Sequence, residues 1–176
     1  MPRTDFAAYD RIMVVGSGGS GKSWLASRIA AHTGHPVYHL DKEFWRPGWV
    51  MTPPEEIVTR TRQMIAAPRW IIEGNYAATM GLRFAAADLV IFLDINRVVC
   101  LASAVRRLGR PRPDLPPDVA EPPLWSRDFL EFAQWIWRYP ATERPTVLRL
   151  HAADPATRFL RITSRRQMRD LLGTPQ

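Results

Sequence analysis

With 176 residues, 46% hydrophobic and 23% charged, the chain has the size and composition of one globular domain able to bury its own core. Its longest apolar runs, such as Leu89–Leu93, are too short to cross a bilayer, and no cationic start leads into an apolar stretch after Met1, so a cytoplasmic protein is expected. A lone cysteine, Cys100, excludes an internal disulfide, and its apolar helical surroundings predict a core position. The net charge of +7 is uneven: residues 97–176 hold 14 arginines against 8 acidic side chains, while the first 96 residues are nearly balanced. Only Lys22 and Lys42 are lysines, and arginine suits planar, bidentate phosphate recognition. A basic half also fits nucleic acid, but no helix-turn-helix, zinc or RNP pattern accompanies it.

Along the chain, Arg11–Val15 reads as a short buried strand and Trp24–Ala31 has a helical pattern. Between them, Gly16-Ser17-Gly18-Gly19-Ser20-Gly21-Lys22-Ser23 fits the phosphate-binding loop G-x-x-x-x-G-K-[ST] at every fixed position. Such a turn aims successive backbone N–H groups at one anion, and the helix N-terminus adds its dipole. Lys22 is then expected at the β- and γ-phosphates and the Ser23 hydroxyl on Mg²⁺.

The run 36–41 predicts a second strand ending in Asp41. Pro53 and Pro54 open a helix to about Ala67, with Glu55 and Glu56 in its first turn. Trp70–Gly74 is a third strand, residues near 77–87 a short helix, Leu89–Asp94 a fourth strand, and 97–108 a helix with Arg106, Arg107 and Arg110 at its exit. Six prolines between Gly109 and Pro123 rule out a continuous helix there, and the segment reads equally as a lid or a connector. Trp125, Phe129, Phe132 and Ile136 recur at helical spacing as a packing face. A helix near 145–153, a strand at 159–163 and a final helix to Leu172 complete an alternating pattern, which implies a parallel sheet covered on both faces.

Carboxylates at strand ends are the candidates for chemistry, because ligands of open parallel sheets bind beyond the C-terminal edge. Asp94 closes an apolar strand and is expected on Mg²⁺, with capping of the next helix as its other reading. Asp41 is expected either to orient or deprotonate an acceptor hydroxyl or to act as a second-sphere Mg²⁺ group, and Glu73 competes for the same task. Gly74 and Asn75 fit either close substrate approach or a plain turn. Trp45 and Trp49 fit either stacking on a base or sugar, or a packed loop. A guanine-reading Asn-Lys-x-Asp is absent, and a compact α/β unit with a basic, proline-rich insert fits a small kinase best.

These segments together resemble the adenylate-kinase-like P-loop proteins known as DNA topology modulation proteins. The resemblance covers nearly the whole chain. It rests on the phosphate loop, His39-Leu-Asp41 followed by Trp45-Arg-Pro-Gly-Trp49, Trp70-Ile-Ile-Glu-Gly-Asn-Tyr76, Ile91–Asp94 with Arg97, and Trp135-Ile-Trp-Arg-Tyr139 leading to Arg144. It implies a single domain over 1–176, with a five-stranded parallel sheet of order 2-3-1-4-5 and a short lid at about 109–124. By the same resemblance Arg106 and Arg110 lie at the ATP side of the lid base, Arg138 and Arg144 clamp phosphate, and Ser164-Arg165 borders the adenine. Trp24 stands where such proteins commonly carry Thr beside the nucleotide, and Glu73 where they carry Asp. No AMP-site arginine stands out unless Arg46, Arg60 or Arg83 supplies it. The expected function is ATP- and Mg²⁺-dependent phosphoryl transfer to a nucleoside, nucleotide or similar polar molecule. An ATP-binding regulator that acts on DNA is the alternative, and a slow ATPase with no acceptor is a third reading.

Overall fold

The computed structural model describes residues 4–46, 50–108, 114 and 123–172. In chain order the elements are β1 (Arg11–Gly16), α1 (Lys22–Thr33), β2 (Val37–His39), α2 (Leu40–Phe44), β3 (Trp45–Arg46), β4 (Val50–Met51), α3 (Pro54–Ile65), β5 (Trp70–Glu73) and α4 (Ala77–Ala86), followed by β6 (Leu89–Leu93), α5 (Arg97–Arg107), α6 (Arg127–Thr142), α7 (Arg144–Ala153), β7 (Arg158–Ile162) and α8 (Arg165–Leu172). Five of the strands form one parallel sheet in the order β2-β5-β1-β6-β7. Counting only these five, the order is the expected 2-3-1-4-5. β3 and β4 make a separate two-stranded antiparallel hairpin. The proposed lid lies outside the described residues, except for Asp114, Pro123 and Leu124.

β1 shows why the sheet is buried on both faces. Ile12 and Val14 enter one core with Leu25 and Ile29 of α1, Cys100 of α5 and Met168 of α8. Met13 and Val15 enter the other with Met64 of α3, Phe84 of α4 and Val147 of α7. Period-two alternation into two apolar layers makes the strand a continuous hydrophobic run, as parallel strands require. β1 is also where the strand order turns back on itself, since β5 and β6 flank it. The crevice at its C-terminal end is therefore where a ligand site is built.

Two boundaries differ from the sequence expectation. The second strand stops at His39, because Leu40 and Phe44, four residues apart, are both fully buried and draw 40–44 into a helical turn. Asp41 thus lies in the first turn of α2 and not at a strand end. Trp125 lies before α6, which Ser126 caps through its Oγ on the Phe129 amide at 3.1 Å, and its side chain is exposed. Cys100 is buried as expected. No helix of the described residues is long and apolar enough to cross a membrane.

One buried charge organises the turn after β5. Arg83 of α4 is fully buried and donates to the carbonyls of Gly74 at 2.9 Å, of Tyr76 at 3.1 Å, and of Asn75. Burial lowers the guanidinium pKa and the nearby Glu73 charge opposes that fall. Tyr76 itself has φ +42°, a left-handed conformation that side chains of its size adopt only when the surroundings dictate it. Replacing Arg83 with Met strands three carbonyls, so Arg83→Met is expected to cost about 3 kcal/mol or more. A lowered urea midpoint with an unchanged slope checks this.

Candidate functional site

The phosphate loop, residues 16–23, leaves β1 and turns into α1. Its glycines are needed for more than anion approach. A Cβ on Gly18 would lie 2.6 Å from the ring of Phe132, so helix α6 packs directly against the loop. The Lys22 Nζ donates to the Ser17 carbonyl at 3.1 Å, folding the ammonium over the loop. Ser17 and Ser20 are buried within it. Arg165, at the start of α8, donates to the Gly19 carbonyl at 2.6 Å and to Ser103 Oγ of α5 at 3.1 Å, where the sequence reading placed a border of the nucleotide. Burial pulls its pKa below the ordinary arginine value.

Ser23 Oγ lies 3.0 Å from Glu73 Oε1 and 2.7 Å from Asp114 Oδ2. Glu73 is buried, and its Oε1 also meets His39 Nδ1 at 2.8 Å. Burial opposes charge on His39, but the hydrogen bond to Glu73 and its charge prevail and raise the imidazole pKa. A chain of polar groups therefore runs from β2 through β5 to the first turn of α1. The hydroxyl and two carboxylates make an oxygen-rich corner of the kind that a hard divalent cation prefers.

Asp94 sits elsewhere. Its Oδ2 accepts from Arg161 at 2.9 and 2.6 Å and lies 3.8 Å from Arg144. Asp94, expected on Mg²⁺, is placed away from Ser23: β6 and β5 lie on opposite sides of β1, and the Ser23 hydroxyl turns toward β5. Glu73, expected at the acceptor, is the strand-end carboxylate that reaches Ser23. Asp94 is a brace between β6, β7 and α7.

Gly74 and Asn75 line the cleft over the loop, and the Asn75 side chain also braces the loop itself. Its Nδ2 donates to the Gly16 carbonyl at 2.7 Å, while Oδ1 accepts from the Gly16 N–H at 3.3 Å and from Tyr139 Oη at 3.3 Å. The side chain stitches β5 to the first residue of the phosphate loop. A Cβ on Gly74 would lie 2.8 Å from Leu40 Cβ, so this glycine allows α2 to close on β5.

A cleft of about 990 Å³ opens over the loop. Its floor includes Gly18, Gly19, Gly21, Lys22 and Ser23, with Trp24 at the rim. One wall carries Asp41, Trp45, Met51 and Tyr76; the other carries Ser103, Arg107, Arg165 and the α6 residues Phe129, Phe132 and Trp135. Tyr76 Oη lies 3.2 Å from Asp41 Oδ1. Burial, followed by the Asp41 charge and hydrogen bond, pushes the phenol well above its usual range, so it stays protonated and donates to the carboxylate. Trp24 is 40% exposed, with the Arg28 guanidinium 5.6 Å over its ring.

Other expected residues fall outside the cleft. Arg106 is exposed, and its neighbour Arg107 lines the cleft over the Phe132 ring, because α5 turns its next residue inward. Arg138 is exposed on α6, and Arg144 faces Asp94; neither lines the cleft. Arg110 and Trp49 lie outside the described residues. Tyr76, Asp114 and Arg107 are site residues that the pattern did not single out. Tyr76 had a signal in its position after Gly74-Asn75, but nothing local distinguished Asp114 from the other acids of the proline-rich segment.

No family model and no curated protein sequence matches the chain. Solved structures do. Shikimate kinase from Bacteroides thetaiotaomicron superposes with a TM-score of 0.59 at 15% identity, covering 94% of this chain and 95% of that one. Shikimate kinase from Acinetobacter baumannii, in complex with shikimate, gives 0.55 at 16%, covering 96% and 91%. A gluconokinase from Sinorhizobium meliloti 1021 gives 0.53 at 15%, covering 93% and 87%. At these identities the likeness is one of architecture: the chain has the α/β fold of P-loop small-molecule kinases.

Proposed function

We propose that this chain is a single-domain phosphotransferase that uses ATP and Mg²⁺ to phosphorylate a hydroxyl of a small polar molecule. The observation that carries the reading is one continuous cleft with the phosphate loop and Lys22 on its floor and Asp41 on its wall. A phosphate donor and a hydroxyl acceptor fit side by side in such a space. The fold shared with small-molecule kinases supports the same reading, as does the resemblance to the adenylate-kinase-like topology modulation proteins.

The residues present fit the donor. The loop glycines leave room for phosphate oxygens, and Ser23 with Glu73 and Asp114 supplies oxygen donors for the cation. Magnesium-bound ATP supplies the phosphoryl group and partial neutralisation of its charge. Lys22 offsets negative charge at the transferring group. The loop amides hold the chain of phosphates in place, and Asp41 orients the acceptor hydroxyl and takes its proton. Tyr76, by donating to Asp41, fixes the carboxylate's direction.

A DNA-acting regulator draws on the basic second half of the chain. Several of those arginines are paired within the chain, Arg161 and Arg144 with Asp94 and Arg165 against the loop. That leaves phosphoryl transfer as the better-supported reading.

ADP release measured against a panel of hydroxyl acceptors is expected to rise above the water background with at least one of them. Asp41→Asn should then cut kcat by about 100-fold or more while nucleotide affinity stays near wild type. No stimulation by any acceptor, or no effect of Asp41→Asn, refutes the proposal. The two strand-end acids separate in a second measurement. Glu73→Gln should raise the Mg²⁺ concentration needed for half-maximal ATP binding by about tenfold. Asp94→Asn should leave that requirement unchanged and lower the unfolding midpoint. The reverse pattern returns the metal role to Asp94.

A further inference from the structure

The turn after β5 holds the two ends of the phosphate loop, through Asn75 on Gly16 and Glu73 on Ser23. The middle of the loop is held differently. The Ser20 N–H donates to the Ser17 carbonyl at 3.1 Å, which closes a turn inside the loop. The same Ser17 carbonyl accepts from Lys22 Nζ at 3.1 Å. The Lys22 ammonium therefore rests on an oxygen whose place depends on how the Gly19–Ser20 peptide lies. In a planar trans peptide the C=O and the N–H point in opposite directions. The Ser20 N–H faces Ser17 only while the Gly19 carbonyl points out of the turn.

Arg165 meets that outward carbonyl. From the first residue of α8 its Nη2 donates to the Gly19 carbonyl at 2.6 Å, a short charge-assisted bond, and to Ser103 Oγ at 3.1 Å. The Ser103 hydroxyl directs its own proton to the Val99 carbonyl at 2.8 Å, so its lone pairs are left to accept from Arg165. Both hydrogens of Nη2 are thus given a direction, one by the loop and one by α5. The guanidinium passes beside Gly21, where a Cβ would overlap Nη1. Gly21 is a fixed position of the phosphate-loop pattern, and its missing side chain makes room for this arginine.

We propose that Arg165 is a positioning residue of the phosphate loop. Held by Ser103, it pins the Gly19–Ser20 peptide and, through the Ser17 carbonyl, seats Lys22, so that α5 and α8 keep the loop ready for a polyphosphate. The inference rests on reading the loop as the phosphate-donor site. The task differs from bordering a nucleobase and from supplying charge alone. A lysine in place of Arg165 keeps the charge, but its ammonium ends one bond short of Nη2 and lacks the planar fork.

The ligand-free protein gives the first test. Hydrogen exchange of the Ser20 amide, followed by NMR, should speed up at least about tenfold in Arg165→Lys and about threefold in Ser103→Ala, with the amides of β5 unchanged. Binding gives the second. Calorimetry with Mg²⁺ and either ATP or inorganic tripolyphosphate should show both ligands weakened about tenfold in Arg165→Lys, because the loop is what they share. A role at the base instead weakens ATP and leaves tripolyphosphate at its wild-type affinity. That result, or Ser20 exchange unchanged in both variants, overturns this inference and leaves the phosphotransferase reading standing. Wild-type protein that binds neither ligand overturns the phosphotransferase reading, and the Ser20 exchange rates then still decide whether Arg165 pins the peptide.

Discussion

The structure depends on the seam between β1 and β5. The phosphate loop leaves the end of β1, and the groups that set its shape arrive from the turn after β5. Asn75 satisfies both backbone groups of Gly16, Glu73 reaches the Ser23 hydroxyl, and Arg83 ties down the carbonyls of residues 74–76. A loop rich in glycine has much backbone entropy to lose on ordering. Fixing it through a neighbouring strand offsets that loss before any ligand arrives, which is how preorganisation serves binding.

The same seam makes the polar groups of the site interdependent. Glu73 is buried with His39 on one side and Ser23 on the other, so its carboxylate is held in direction by its neighbours. Asp41 is placed differently. It sits at the cleft surface on a five-residue helix, directed by the Tyr76 phenol. The two carboxylates are therefore separated in position, one beside the loop hydroxyl and one facing the open cavity.

Helix α6 adds a wall that the aromatic pattern announced only as packing. Phe132 does pack, since it touches the loop at Gly18 and stacks on Trp135 with ring centres 6.0 Å apart. Both also line the cleft, together with Phe129. Residues that fill a core and shape a pocket use the same apolar surface for both tasks, and periodicity cannot separate them.

The alternating strands and helices, the doubly covered parallel sheet and the phosphate loop were legible in the chain alone. Each of these is written in local patterns: apolar strand runs, helical spacing, and glycines at fixed intervals. Asp41, Trp45, Lys22 and Arg165, all singled out from the sequence, line one cleft. Which strand-end acid meets Ser23 is visible only once the strands are assembled. Glu73 and Asp94 look alike in sequence, each closing an apolar run, and they are told apart by the side of β1 on which their strands lie. Assembly likewise decides that Arg107 and not Arg106 faces the cavity, and that Arg83 is spent inside the fold. Those outcomes turn on helix rotation and strand adjacency, long-range quantities that no local spacing encodes.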